Sequence, residues 1–123
     1  MAGDAPDRPD RPRRHLLVAA AACVGFCLGL TLCDYGGWPR VIYQPYQHTW
    51  SIGAEPPPGV AMLFFGTLLW ALAAAVLAAM VTAVGLRGWR RPIASRVVWL
   101  ATAWAGTALL LAAGYFLWSL FPF

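Results

Sequence analysis

Cysteines are the residues of this chain with the most direct chemistry, because thiolates bind soft metals and undergo redox reactions. Cys23 and Cys27 are four residues apart, so a helix would place both thiols on one face. Two thiols supply only part of the tetrahedral ligand set of a structural zinc, and Cys33 lies beyond them along the same run. A free cysteine otherwise packs as a small apolar side chain. We therefore predict that this pair fills space in a helix, with no metal site and no cofactor.

An acid–base pair is the second chemistry that the sequence offers. His48 and Glu55 lie in one aromatic segment, and an imidazole beside a carboxylate can transfer protons near neutral pH. No nucleophile motif, glycine-rich phosphate loop or metal-ligand spacing accompanies them in the sequence. We therefore predict that the chain is not an enzyme and has no catalytic residues.

The elements that must carry these residues are three long apolar runs. The chain is 60% hydrophobic and 11% charged, whereas a soluble domain carries about 25% charged residues. Residues 15–33, 59–86 and 97–121 contain no Asp, Glu, Lys or Arg. Each is long enough, at about 1.5 Å per helical residue, to cross most or all of a hydrocarbon core of about 30 Å. The sequence therefore predicts an all-α integral membrane bundle of three transmembrane helices.

Polar segments separate these runs. Residues 1–14 are rich in Pro, Asp and Arg, which predicts a disordered cytoplasmic tail. Residues 34–58 form an aromatic and Pro-rich segment that we assign as an external loop. Residues 87–96 form a short Arg-rich loop, assigned to the cytoplasm, and residues 122–123 are assigned as the external C-terminus.

The orientation follows from the distribution of arginine, because cytoplasmic segments of membrane proteins carry an excess of positive charge. The aromatic segment contains only Arg40, whereas most arginines lie in the tail and in the second connection. This asymmetry predicts a multi-pass protein of the cell membrane with its N-terminus inside and its C-terminus outside. The net charge is +4, but the arginines that produce it flank apolar runs. We therefore expect them to determine membrane topology and expect no nucleic-acid binding. The arginines that determine this topology are Arg13, Arg14, Arg87, Arg90, Arg91 and Arg96.

An export signal is the alternative interpretation of the first run. The segment from Arg13 to Leu17 resembles a twin-arginine signal, and the segment from Leu30 to Cys33 resembles a lipobox. Leu32 stands where a lipobox has a small residue, and the run is longer than the apolar region of a signal peptide. We therefore favour an uncleaved first helix, with cleavage near Cys33 as the alternative.

Small residues recur at helical spacing in the runs and predict where helices pack. Apolar side chains gain little by leaving lipid, so helix association in a bilayer relies on close approach through small residues. The first run contains Gly25 and Gly29, and the second has alanines that repeat at every fourth position. We predict helix–helix packing, within the chain or with a partner, through Gly25, Gly29, Ala71, Ala75, Ala79 and Ala83.

The aromatic segment is the most distinctive part of the sequence. Aromatic side chains supply contact area at low entropic cost and are common in protein interfaces. They are equally at home at the membrane–water interface, which is the alternative interpretation. The predicted external partner surface consists of Trp38, Tyr43, Tyr46 and Trp50.

Two classes of function follow from these features. The first is an accessory or structural subunit of a larger membrane complex, whose partners are the lipid bilayer and a second membrane protein or another copy of the chain. The alternative is a subunit of a small oligomeric transporter or channel. A pore requires polar residues gathered on one face, and the threonines of the runs are sparse.

Overall fold

The computed structural model describes residues 10–53 and 64–120, which form three long helices and one β-hairpin. The elements in chain order are α1 (Asp10–Tyr35), β1 (Arg40–Gln44), β2 (Thr49–Gly53), α2 (Phe64–Gly88) and α3 (Ser95–Leu120). Each helix includes a stretch long and apolar enough to cross a membrane: Arg11–Tyr35, Phe65–Gly88 and Ser95–Trp118. The prediction of three such helices is confirmed, and their lengths and compositions indicate a membrane protein.

The first helix begins earlier than the sequence predicted. Residues 10–14 belong to α1, so the expectation of disorder is wrong for this part of the tail. Pro12 is compatible with the helix because the N–H groups of the first turn have no acceptor within the helix. The rest of the predicted tail, residues 1–9, lies outside the described residues, as do residues 54–63 and 121–123.

The aromatic segment contains an antiparallel hairpin, which corrects the all-α prediction. Strands β1 and β2 pair from Arg40 opposite Gly53 to Gln44 opposite Thr49. Tyr43 faces Trp50 across the strands, and their ring centroids are 4.8 Å apart. Such aromatic pairs stabilise short hairpins. The segment assigned as an aromatic and Pro-rich loop therefore contains two regular strands.

Helix α1 is the centre of the fold. It packs against α2 on one side and α3 on the other, and α2 and α3 do not pack against each other within the described residues. Ala105 and Ala112 are buried on α3, whose packing partner is α1. Most large apolar side chains of α2 and α3 point outward and are exposed, as lipid-facing residues must be.

Candidate functional site

The contact between α1 and α2 depends on two glycines. A Cβ atom at Gly25 would lie 2.7 Å from the Cβ of Ala78, and one at Gly29 would lie 2.8 Å from the Cα of Ala71. The structure therefore brings both predicted glycines against α2. Ala74, which the sequence prediction did not include, contacts both glycine positions.

The remaining alanines of the predicted repeat are not among the residues nearest to the two glycine positions. Ala75, Ala79 and Ala83 are half-buried, as are Ala74 and Ala78, and the alanines nearest to the glycines are those at positions 71, 74 and 78. A helix has about 3.6 residues per turn, so steps of three and four alternate along one face. Residues spaced by four at every step, such as Ala71, Ala75, Ala79 and Ala83, instead shift gradually around the helix and do not stay on one face.

Arginines at the start of α1 join it to the connection between α2 and α3. Arg13 donates through Nη1 to the carbonyl oxygen of Ile93 at 3.0 Å. Arg14 donates to the carbonyl oxygens of Leu86 at 3.2 Å and Trp89 at 3.1 Å. Leu86 lies in the last turn of α2, where carbonyl groups lack helical partners and attract cations. The other predicted topology arginines are exposed: Arg87, Arg90, Arg91 and Arg96.

A cluster of polar side chains joins the other end of the bundle; we call Asp34, Arg40, Thr67 and Tyr115 the polar junction. The Asp34 carboxylate accepts a hydrogen bond from Tyr115 Oη at 3.0 Å and pairs with Arg40 Nη1 at 3.4 Å. Arg40 Nη1 also donates to Thr67 Oγ1 at 3.1 Å. The junction therefore links α1, β1, α2 and α3 through their side chains.

The ion pair of the polar junction is largely withdrawn from solvent. The side chain of Arg40 is 11% exposed and that of Asp34 is 31% exposed, while Cys33 beside them is fully buried. Arg40 Nε is buried and has no hydrogen-bond partner within the described part of the chain. Charges in such surroundings are costly unless they are paired, so Arg40 depends strongly on its carboxylate.

The polar junction was missed by the sequence analysis, in which Arg40 entered only as a topological charge. The available signal was a lone cation six residues after Asp34 in a segment nearly free of other charges. Thr67 and Tyr115 carried no comparable signal, because both lie within apolar runs.

The hairpin is seated tightly on the first turns of α2. A Cβ atom at Gly66 would lie 2.5 Å from the carbonyl oxygen of Val41, so only glycine allows the strand to approach this closely. Trp70 donates from Nε1 to the carbonyl oxygen of Pro39 at 2.9 Å. Its ring also meets Trp38 edge-to-face, with centroids 5.2 Å apart. Strand β1 therefore forms part of the packed structure.

The predicted partner surface is divided by this arrangement. Trp38 contacts α2, and Tyr43 is half-buried, with its hydroxyl 3.2 Å from Nδ1 of His48. Tyr46 and Trp50 are 83% and 64% exposed, and Ile52, which the prediction did not include, is 79% exposed. We call Tyr46, Trp50 and Ile52 the hairpin face. Glu55, proposed above as a partner for His48, lies outside the described residues.

An apolar groove follows α1 between α2 and α3; we call it the α1 groove. Three cavities of about 640, 460 and 340 Å³ open onto it, and Leu28 lines all of them. Trp38 and Trp70 border the groove near the polar junction, and Leu17 and Val97 border it near the arginines. The groove exists because α2 and α3 stay apart.

Comparison of the chain with protein-family models, with curated proteins and with solved structures gives no match.

Proposed function

We propose that this protein is an accessory or structural subunit of a larger membrane complex, and that the hairpin face binds an external partner. The observation that carries the proposal is the contrast between the two strands. Ile42 of β1 is 1% exposed, whereas Trp50 and Ile52 of β2 are largely exposed. The hairpin is thus held firmly on one side and presents aromatic and aliphatic side chains on the other.

The hairpin face has the properties of a docking surface. A large exposed aromatic held in place by its neighbours is the residue type that dominates binding energy in interfaces, and Trp50 is held by Tyr43. Strand β2 pairs only with β1 in the described sheet, so its other edge can accept a strand from a partner. Binding would require little ordering of the hairpin, which is already anchored through Arg40 and Gly66.

The threonine hydroxyl groups of the three helices favour the role of an accessory subunit over that of a pore subunit. Thr31, Thr82, Thr102 and Thr107 each donate to the carbonyl oxygen four residues earlier in the same helix, at 2.8–3.0 Å. Side chains that bond to their own backbone in this way offer little to a permeating ion. Transport would require another source of polar groups.

Replacing both Trp50 and Ile52 with alanine is expected to lower recovery of a cross-linked external partner by about tenfold or more, because a lost hot spot costs about 2 kcal/mol. The measurement is quantitative mass spectrometry after cross-linking in intact membranes and purification of the chain. Trp99→Ala is the matched control, since Trp99 is equally exposed but lies on α3. Equal recovery with both variants would contradict the proposed role of the hairpin face.

The proposed orientation in the cell membrane has its N-terminus inside and its C-terminus outside. Hydrogen bonds from Arg13 and Arg14 to the connection between α2 and α3 support it, because they place both Arg-rich segments at one end of the bundle. That end carries most of the cationic side chains, which favours the cytoplasmic side.

Cysteine accessibility tests this orientation. In intact cells a membrane-impermeant maleimide is expected to label Gln47→Cys in the hairpin turn. Arg91→Cys in the opposite connection is expected to react only after permeabilisation. Both positions are exposed, whereas the native cysteines are buried or half-buried and give a low background. Labelling of Arg91→Cys in intact cells would reverse the assigned topology.

A further inference from the structure

The geometry points to a binding site for an anionic phospholipid at the arginine end of the α1 groove. In this proposal the lipid phosphate is bound by Arg14 and Arg96, and one acyl chain lies along α1 between α2 and α3. Neither the hairpin face nor an external partner takes part, so the site is independent of the function proposed above.

The groove has the chemistry and the length that an acyl chain requires. Its cavity near the arginines, about 460 Å³, is lined by apolar side chains that include Leu17 and Val24 of α1 and Leu100 and Trp104 of α3. From Leu17 to Leu28 the floor of the groove extends over about 16 Å of helix. One leaflet contributes about half of a hydrocarbon core of about 30 Å. The groove therefore matches the depth of a single leaflet.

Two arginines lie within one helical turn of residues that line the mouth of this groove. Arg14 precedes Leu17 by three residues and so lies on the same face of α1. Arg96 is exposed and directly precedes Val97, which lines the cavity. Basic side chains at the mouth of a groove between transmembrane helices are the arrangement that binds anionic headgroups.

The charge around the mouth is strongly unbalanced. The segments 1–14 and 87–96 together contain eight arginines and three aspartates. Asp10 begins α1 four residues before Arg14, whereas Asp34 lies about 30 Å along α1 from Arg14. A phosphate at the mouth would therefore enter a region of net positive charge, which favours its binding.

Arg14 is oriented for this contact by the protein itself. Its Nη1 atom donates to the carbonyl oxygen of Leu86 in the last turn of α2, and its Nη2 atom donates to that of Trp89 in the connection between α2 and α3. A guanidinium carries five N–H donors, so this one retains further donors for a phosphate oxygen. Arg13, through its bond to the carbonyl oxygen of Ile93, positions the same connection.

The test uses the full chain in mixed micelles and native mass spectrometry with added phosphatidylglycerol or phosphatidylcholine of identical acyl chains. The wild-type protein is expected to retain phosphatidylglycerol at about fivefold or greater excess over phosphatidylcholine, and Arg96→Gln is expected to lower that retention about fivefold. Arg91→Gln is the charge-matched control, since Arg91 is also exposed but lies in the connection before α3, whereas Arg96 adjoins Val97, which lines the cavity. Equal loss with both variants would show a diffuse effect of charge and overturn the site.

A second variant tests whether the acyl chain lies along α1 between α2 and α3. Ala101 lines the cavity, and Ala101→Phe is expected to reduce phosphatidylglycerol retention to the level of phosphatidylcholine. Ala103→Phe, at an exposed position on the same helix, is expected to leave retention unchanged. Unchanged retention in Ala101→Phe would overturn the proposed position of the acyl chain. The same conclusion would follow if free glycerol phosphate competed as effectively as the intact lipid. If Ala101→Phe does not fold, the comparison of Arg96→Gln with Arg91→Gln decides the proposal.

Discussion

Alanine at both Gly25 and Gly29 is expected to lower the free energy of unfolding by about 3 kcal/mol, because each added methyl group overfills a closely packed interface. The new Cβ atoms would lie 2.8 Å from the carbonyl oxygen of Ala74 and 2.8 Å from the Cα of Ala71. These neighbours are backbone atoms and cannot rotate away. Helix α2 must therefore move as a whole, and the seat of the hairpin on Gly66 moves with it.

The measurement for this double variant is denaturation by SDS titration in mixed micelles, followed by circular dichroism. Gly106 and Gly114 of α3 provide a matched control, since a Cβ atom at either position would meet no atom within 4 Å. Alanine at these two sites is expected to leave the stability unchanged or to raise it by about 0.5–1 kcal/mol per site through helix propensity. A Gly25/Gly29 variant as stable as this control would show that α1 and α2 do not pack as described.

Asparagine at position 34 is expected to have the second-largest effect, a loss of about 2–3 kcal/mol, because it leaves Arg40 without its counter-ion. The value is below that of a fully buried pair because the Asp34 side chain is 31% exposed and solvent screens part of the interaction. Tyr115→Phe removes one hydrogen bond to the same carboxylate, and should cost about 1 kcal/mol.

A double-mutant cycle separates the ion pair from other effects of these substitutions. Arg40→Met removes the buried cation, so Asp34→Asn added to that variant is expected to cost less than it does alone. Unfolding by SDS is again the measurement, with Arg91→Gln as the exposed control. Additive effects of the two substitutions would mean that Asp34 and Arg40 do not stabilise each other.

The three helices were predictable because the property that defines them is local. Long runs without Asp, Glu, Lys or Arg can satisfy their backbone groups inside a bilayer only as helices or closed barrels. The predicted positions of the helix ends were less accurate. Helix α3 begins at Ser95, where residue 97 was predicted, and α2 ends at Gly88, where residue 86 was predicted. Hydrophobicity stops where charge begins, but the helical backbone continues into the polar turns.

The packing register of α2 was only partly readable from the sequence. Alanines occupy positions 73–75 as well as 78 and 79, so several faces of the helix are lined by small residues. The glycines of α1 select the face with Ala71, Ala74 and Ala78, and this choice depends on how two helices cross. No pattern within α2 alone contains that information.

The hairpin illustrates a different failure of local reasoning. The sequence analysis assigned residues 34–58 as a loop, yet Pro39 and Pro45 stand outside the two paired strands and do not interrupt them. What stabilises the strands is their seat on α2, where Gly66 lets the backbone of Val41 approach closely. A short two-stranded hairpin is marginal alone and needs such a surface.

Amino-acid sequence alone determined that three segments prefer hydrocarbon, and it concentrated arginine in two connecting regions, because transfer to lipid is a sum over neighbouring residues. Tertiary structure decided which polar groups meet. Tyr115 and Asp34 are 81 residues apart in the chain and 3.0 Å apart in space. It also decided that α2 and α3 stay apart and leave the α1 groove open. Contacts of this kind depend on the relative placement of whole helices, which no local pattern encodes.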